Sequence, residues 1–244
     1  MKSTNQNWLD EKLQLSFDDK EDKIWIESSY TLRIMIGVLG MLLPIFLWLF
    51  LLLATDRLEV LPSISHYYFT RVDGIFMIII GLLAMFLIFY KGKERIDFYT
   101  SLIAGISALV VLLFPTDALT LTHPDANVFY SNTVLPDSAF RENLHYLAAA
   151  LFIGSLAFMS LKVFTLSNKP KGERGKMKNI RNTIYKTCGI IMILAMAVIA
   201  AKLFGIIDAD FYDNNNLTFW METIAVEAFG FSWLVKGETL FKDK

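Results

Sequence analysis

IMIGVLGMLLPIFLWLFLLLAT, residues 34–55, runs for 22 residues without a charge, and this one stretch sets the class of the fold. A helix crossing the hydrocarbon core of a bilayer needs about 20 apolar residues. No backbone N–H or C=O can be left unpaired there, so a long run without alternating polarity predicts a helix and not a barrel strand. Five further runs follow: 74–90 with 17 residues, 98–116 with 19, 143–161 with 19 broken only by His145, 187–201 with 15 between Lys186 and Lys202, and 217–235 with 19 that include Glu222 and Glu227. The fifth is short, but its flanking lysines can reach both interfaces. The chain is therefore expected to be an all-α integral membrane protein, a bundle of six transmembrane helices.

Lys and Arg between the runs fall into alternate gaps. Nineteen lie before residue 34, in 91–97, in 162–186 and after 235, whereas four lie in 56–73, 117–142 and 202–216. By the positive-inside rule both termini are expected in the cytoplasm and the three poor gaps outside. Those outer gaps hold ten Asp and Glu, which makes the outer face net negative although the whole chain carries only −1. Residues 1–31 read as a cytoplasmic N-terminal segment, 32–238 as the six-helix transmembrane domain and 239–244 as a cytoplasmic tail. The expected location is the cell membrane, with multiple crossings, in a bacterial cytoplasmic membrane.

The same distribution excludes several classes. A nucleic-acid surface would need a strong basic face, which is not indicated. The basic segment with Lys169, Lys171, Arg174, Lys176, Lys178 and Arg181 reads first as a topology determinant, with a contact for anionic headgroups as the alternative. The first apolar run begins too late and is too long for a cleaved signal peptide. Trp8, Leu9, Leu13 and Phe17, ahead of it, fit either an interfacial amphipathic helix or a polar tail. Cys188 is the single cysteine, so no intrachain disulfide or thiolate zinc site is expected. No motif identifies a cofactor or an activity. Small residues four apart (Ser101 and Gly105, Ala104 and Ala108, Ala150 and Gly154, Ala197 and Ala201) mark places where helices can approach closely, and Pro44 predicts a kink in the first helix.

Chemistry is expected among polar groups that a membrane makes costly. Glu227 lies ten residues into the last run, about 15 Å deep, where a carboxylate must be protonated, paired or wetted. Glu222 is shallower and about 140° round the helix from it, so the two are not a paired acid–base couple. The three histidines, His66, His123 and His145, all belong to the outer side. Together with Asp73 and with Asp117 or Asp125 they pose a three-His or His/carboxylate zinc site that would activate water. No HExxH or HxxxH spacing accompanies them. His145 alternatively bonds a neighbouring loop, and His66 alternatively sits in an aromatic belt beside Tyr67 and Tyr68. Arg141, the one basic residue of the long 117–142 gap, is placed to meet a lipid phosphate or to pair with a loop acid. Asp208, Asp210, Asp213 and the asparagines 214–216 read as turn chemistry and not as a calcium loop.

Leu61-Pro62-Ser63-Ile64-Ser65-His66-Tyr67-Tyr68, Phe114-Pro115-Thr116, the segment Arg181 to Gly189 and the segment Phe229 to Gly237 resemble a group of bacterial six-span membrane proteins, which brings no activity with it. Pro62-x-Ile64-Ser65 before the second run, His145 at the start of the fourth and Glu227 in the sixth resemble, more distantly, the Frag1/DRAM/Sfk1 group. That resemblance implies six helices and a link to membrane lipids, including lipid-anchor remodelling in some eukaryotic members. Where that group has a His ahead of the last-run Glu, this chain has Glu222. The leading expectation is a lipid-handling membrane protein whose outer-half residues Ser65, His66, Asp73, Arg141, His145, Glu222 and Glu227 meet a membrane lipid. A metal-assisted lipid hydrolase, a proton-coupled transporter using Glu227 and a structural subunit remain open, as do protein partners.

Overall fold

A computed structural model describes residues 23–55, 58–92, 94–117, 135–167, 175–237 and 240–241, with the backbone alone for 23–30. The described residues are helical, without strands. The helices are α1 (Lys23–Thr55), α2 (Asp73–Phe89), α3 (Arg95–Leu113), α4 (Ala139–Phe158), α5 (Lys176–Leu203), the short α6 (Ala209–Asn214) and α7 (Leu217–Lys236). A 3-10 segment, Ile64–Phe69, precedes α2, and a π-helical turn, Met159–Val163, prolongs α4.

Four helices are long and apolar enough to cross a membrane: α1 from Thr31, α3, α4 with its π turn, and α5. The α2 helix is equally apolar but stops at 17 residues. The α7 helix has the length, but Glu222 and Glu227 interrupt its apolar run. The exterior fits the same class. Ile45, Leu53, Ile78, Ile103, Leu113, Leu147, Ile190 and Leu194 point outward and are at least half as exposed as they would be in an open chain, or nearly so. An apolar girdle of that extent is not the surface of a protein surrounded by water.

The helices pack as successive neighbours, with α7 filling the space between α1 and α5. Where α1 crosses α7 the backbones nearly touch: a Cβ built on Gly37 would stand 2.8 Å from the Gly230 carbonyl oxygen, and one on Gly230 would stand 2.7 Å from that of Gly37 and overlap Met41. Where α2 crosses α3, Gly105 has the same role, since its Cβ would fall 2.8 Å from the Ala84 carbonyl oxygen. Ser101, Ala104 and Ala108 of the same helix are also buried. The other two spaced pairs are not close seams. Ala150 and Ala197 are exposed, and Gly154 has room for a Cβ. Four-residue spacing identifies a smooth helix face but does not say whether that face meets protein or lipid. The α1 helix runs unbroken through Pro44.

At one end, called the 3-10 end here, the α1–α2 connection, the finish of α3, the start of α4 and the start of α7 come together. At the opposite end Arg33 Nε donates to the Tyr90 hydroxyl (3.2 Å), and Tyr90 packs edge-on against the fully buried Trp233. The π turn ends with the Phe164 N–H on the Met159 carbonyl (2.8 Å), and the Ser160 hydroxyl donates to the Tyr185 carbonyl (2.8 Å). An inserted residue of this kind re-aims a helix face, and here Leu161 fills the notch over Gly189.

Candidate functional site

The 3-10 segment is a plug and not a surface loop. Ile64, Ser65, His66, Tyr67 and Phe69 are all buried, and Tyr67 stacks near Phe219 of α7 at 6.1 Å between ring centres. The aromatic-belt alternative for His66 therefore does not describe its surroundings, because Tyr67 is wholly buried and Tyr68 half-buried. Two bonds from α7 hold the plug: the Phe219 N–H donates to the Pro62 carbonyl (3.0 Å), and Glu222 Oε2 accepts the Ile64 N–H (2.7 Å). Glu222 thus occupies the position of an N-cap acceptor for the segment, from another helix.

His145, 2% exposed in the second turn of α4, bridges two elements. Its Nδ1 lies 2.8 Å from the Phe114 carbonyl oxygen, which can only accept, so Nδ1 carries a proton. In the neutral ring Nε2 then accepts from the Ser65 hydroxyl at 3.1 Å. The second histidine makes a parallel chain. Ser63 Oγ lies 2.6 Å from His66 Nδ1, and His66 Nε2 faces Asp117 Oδ2 at 3.7 Å. The other Asp117 oxygen accepts from the Thr116 hydroxyl (2.7 Å) and the Tyr146 hydroxyl (3.1 Å). Two serines, two histidines and two carboxylates from four separate stretches of chain thus form one hydrogen-bonded and electrostatically linked cluster.

Of the expected residues, Ser65, His66, His145 and Glu222 belong to this cluster. Arg141 stands beside it with its donors directed at backbone: Nε to the Pro115 carbonyl (3.0 Å), Nη1 to Pro136 (2.6 Å) and Nη2 to Thr116 (3.4 Å), with Glu142 Oε1 also at 3.4 Å. It clamps the two ends of the 117–142 gap together. Asp73 accepts from the Gly74 N–H (2.7 Å) at the start of α2, a helix-start role. Glu227 is half-buried, with no hydrogen bond or ion pair among the described residues, and no bond joins it to the cluster. No group of three His, Cys, Asp or Glu able to hold a metal occurs among the described residues. His123 and Asp125 of the zinc reading lie outside them, as do Trp8, Leu9, Leu13, Phe17, Lys169, Lys171 and Arg174. Asp208 caps the start of α6 by accepting the Phe211 N–H (2.8 Å), and Asp213 pairs with Lys202.

Sequence reading did not single out Ser63, Thr116 and Tyr146. Each had a signal: Ser63 precedes His66 by three residues, Thr116 adjoins the first acid after the third run, and Tyr146 follows His145.

Burial by itself would raise the Asp117 carboxyl. The His66 imidazole beside it and the hydroxyls of Thr116 and Tyr146 outweigh burial and hold it well below the usual carboxylate range. A depressed folded-state value contributes stability above the unfolded carboxyl's value of about 3.9 and loses it as pH falls through the folded value. The stability difference between the parent and Asp117→Asn is therefore expected to be flat above about pH 5 and to shrink below about pH 4. Thermal unfolding in detergent across that range measures it, and a difference that grows on acidification would refute the assignment.

A scan against protein-family models found no match, and searches of curated proteins and of solved structures found none either. Fold and site define an all-helical chain of the multi-pass membrane class with a serine–histidine–carboxylate cluster, its serines and histidines buried, at one end of its bundle.

Proposed function

We propose that this chain is a six-span protein of a bacterial cytoplasmic membrane that binds and handles a membrane lipid at the outer end of its bundle. In this reading α1, α2, α3, α4, α5 and α7 all cross the membrane, both termini face the cytoplasm, and the 3-10 end faces outward. The alternation of Lys and Arg between the helices supports the orientation. The shortness of α2 is compatible with crossing, since a short helix is matched by bilayer thinning and by flanking residues that reach the interface.

One observation carries the lipid reading: a polar cluster of buried Ser63, Ser65, His66 and His145 with half-buried Asp117 and Glu222 lies at the edge of an apolar girdle. Polar side chains so placed are costly unless used or fully bonded, and His66 Nε2 has no hydrogen-bond partner among the described residues. A lipid presents a polar head and apolar chains at the same depth as these two surfaces. The resemblance of Pro62-x-Ile64-Ser65, His145 and Glu227 to the Frag1/DRAM/Sfk1 group points the same way.

Native mass spectrometry of the protein purified in mild detergent is the test. A lipid retained at close to one per chain is expected, falling at least fivefold in His145→Ala while the unfolding transition stays cooperative. Retention unchanged in that variant would remove the cluster from lipid binding.

A further inference from the structure

We propose that Ser63 is a nucleophile, with His66 as its general base and Asp117 as the residue that positions His66, and that it takes the acyl group of a lipid ester. The substrate class rests on the lipid reading above; the nucleophile rests on the geometry that follows.

Ser63 stands at the N-cap position of the 3-10 segment, with extended backbone (φ −149°, ψ 166°). A serine there ordinarily gives its oxygen to a backbone N–H of the first turn. Ser63 makes no such bond, and the first N–H of the segment, that of Ile64, is taken by Glu222 from α7. Its hydroxyl is left to His66 Nδ1 at 2.6 Å. The tautomer that suits the carboxylate carries its proton on Nε2, which leaves Nδ1 as the acceptor for the serine proton.

Asp117 is oriented for the third role. Thr116 and Tyr146 hold Oδ1, so Oδ2 is turned to His66 Nε2. The 3.7 Å between them is longer than a hydrogen bond. Such contacts are often long without substrate and tighten in the reacting complex, and closing this one breaks no hydrogen bond of Nε2 among the described residues. Ser65 and His145 are the weaker candidates for the same chemistry. His145 is backed by a backbone carbonyl, which fixes its tautomer but lacks the full negative charge that stabilises an imidazolium. Ser63 and His66 are 5% and 6% exposed, whereas the Asp117 side chain is 31% exposed, so the relay is shielded from water at its reacting end.

The step balances with the groups present. Ser63 Oγ attacks the ester carbonyl carbon as its proton moves to His66 Nδ1. The bond from that carbon to the lipid alcohol breaks, and the departing oxygen takes the proton from His66, leaving an acyl-serine and a free alcohol. A water or an acceptor hydroxyl then gives His66 its proton and attacks the acyl carbon, and Ser63 Oγ leaves with the proton returned.

Purified full-length protein treated with a long-chain alkyl fluorophosphonate tests the assignment, with adducts located by fragment mass spectrometry. One adduct on Ser63 is expected, absent in Ser63→Ala. Loss of the general base in His66→Gln should slow labelling about a hundredfold. Asp117→Asn should slow it at least tenfold, and Asp117→Glu, which restores a carboxylate, should recover part of that loss. Unfolding transitions recorded alongside separate lost chemistry from lost structure. No Ser63 adduct on folded parent protein, or an adduct on Ser65 instead, overturns the proposal. If lipid is retained but Ser63 does not label, the nucleophile falls and the lipid reading stands. If Ser63 labels in protein that retains no lipid, the nucleophile stands and the lipid source of the acyl group falls.

Discussion

Gly230→Leu is expected to destabilise the bundle by about 3 kcal/mol or more, the upper part of the range for forced overpacking. Two effects oppose one another at this position. A glycine inside a helix costs about 1 kcal/mol relative to alanine, so any side chain there improves the isolated helix. Packing acts the other way and is larger, because the added Cβ would already stand 2.7 Å from the Gly37 carbonyl oxygen and overlap Met41. Met41 can swing aside, but the backbone of α1 cannot yield without opening the whole α1–α7 seam. That seam also carries Phe229, which a Cβ on Gly40 would meet at 2.8 Å. Gly74→Ala is the matched control, since nothing lies within 4 Å of the added carbon. Thermal unfolding followed by tryptophan fluorescence should show a lower midpoint for Gly230→Leu and no loss for Gly74→Ala. Equal midpoints for Gly230→Leu and the parent would mean that the two helices do not meet as described.

The first five helices were legible in the sequence because their runs are uncharged for most of a membrane thickness, and the last by its length and apolar content despite Glu222 and Glu227; neither property needs tertiary information. Their ends were less legible. The α5 helix begins at Lys176, eleven residues before the uncharged run, because a helix continues past the membrane wherever its polar residues can still be solvated. Close seams were legible only in part. Gly105 lay in a four-residue pattern, whereas Gly37 and Gly230 contact each other across nearly the whole chain, a pairing that one sequence does not display.

The site divides in the same way. The cost of a polar group in an apolar run drew attention to His145, Glu222 and Glu227, and two of these are in the cluster. Glu227 looked the most costly by depth, yet Glu222 holds the plug, because what matters is which backbone donor lies opposite the carboxylate. Ile64 N–H is that donor, brought there by the plug's descent into the bundle. The pairing of Ser63 with His66 depends on the 3-10 turn between them. An α-helix would place residues three apart about 300° round its axis, whereas a 3-10 turn eclipses them. Arg141 was read by its charge, but its guanidinium meets three carbonyls, which offer partners that sequence reading does not count.

Glu222→Ala is expected to destabilise the protein by about 1–3 kcal/mol, the cost of leaving a buried donor without its acceptor. It should also disable the cluster more than the lost stability alone would. The plug would keep only the Phe219-to-Pro62 bond to α7, and Ser63, next to the released Ile64 N–H, would no longer be held against His66. Glu222→Gln keeps an acceptor oxygen at the same reach, so it should retain most of the stability and leave the Ser63–His66 contact in place. The pair of variants separates a carboxylate needed for its charge from one needed as a hydrogen-bond acceptor. Unfolding midpoints, together with the rate of fluorophosphonate labelling at Ser63, should place the Gln variant near the parent and the Ala variant far below it in both. If Gln and Ala fall together, the charge of Glu222 is what the site uses. If neither differs from the parent, the plug is held by its aromatic packing against Phe219 and not by this bond.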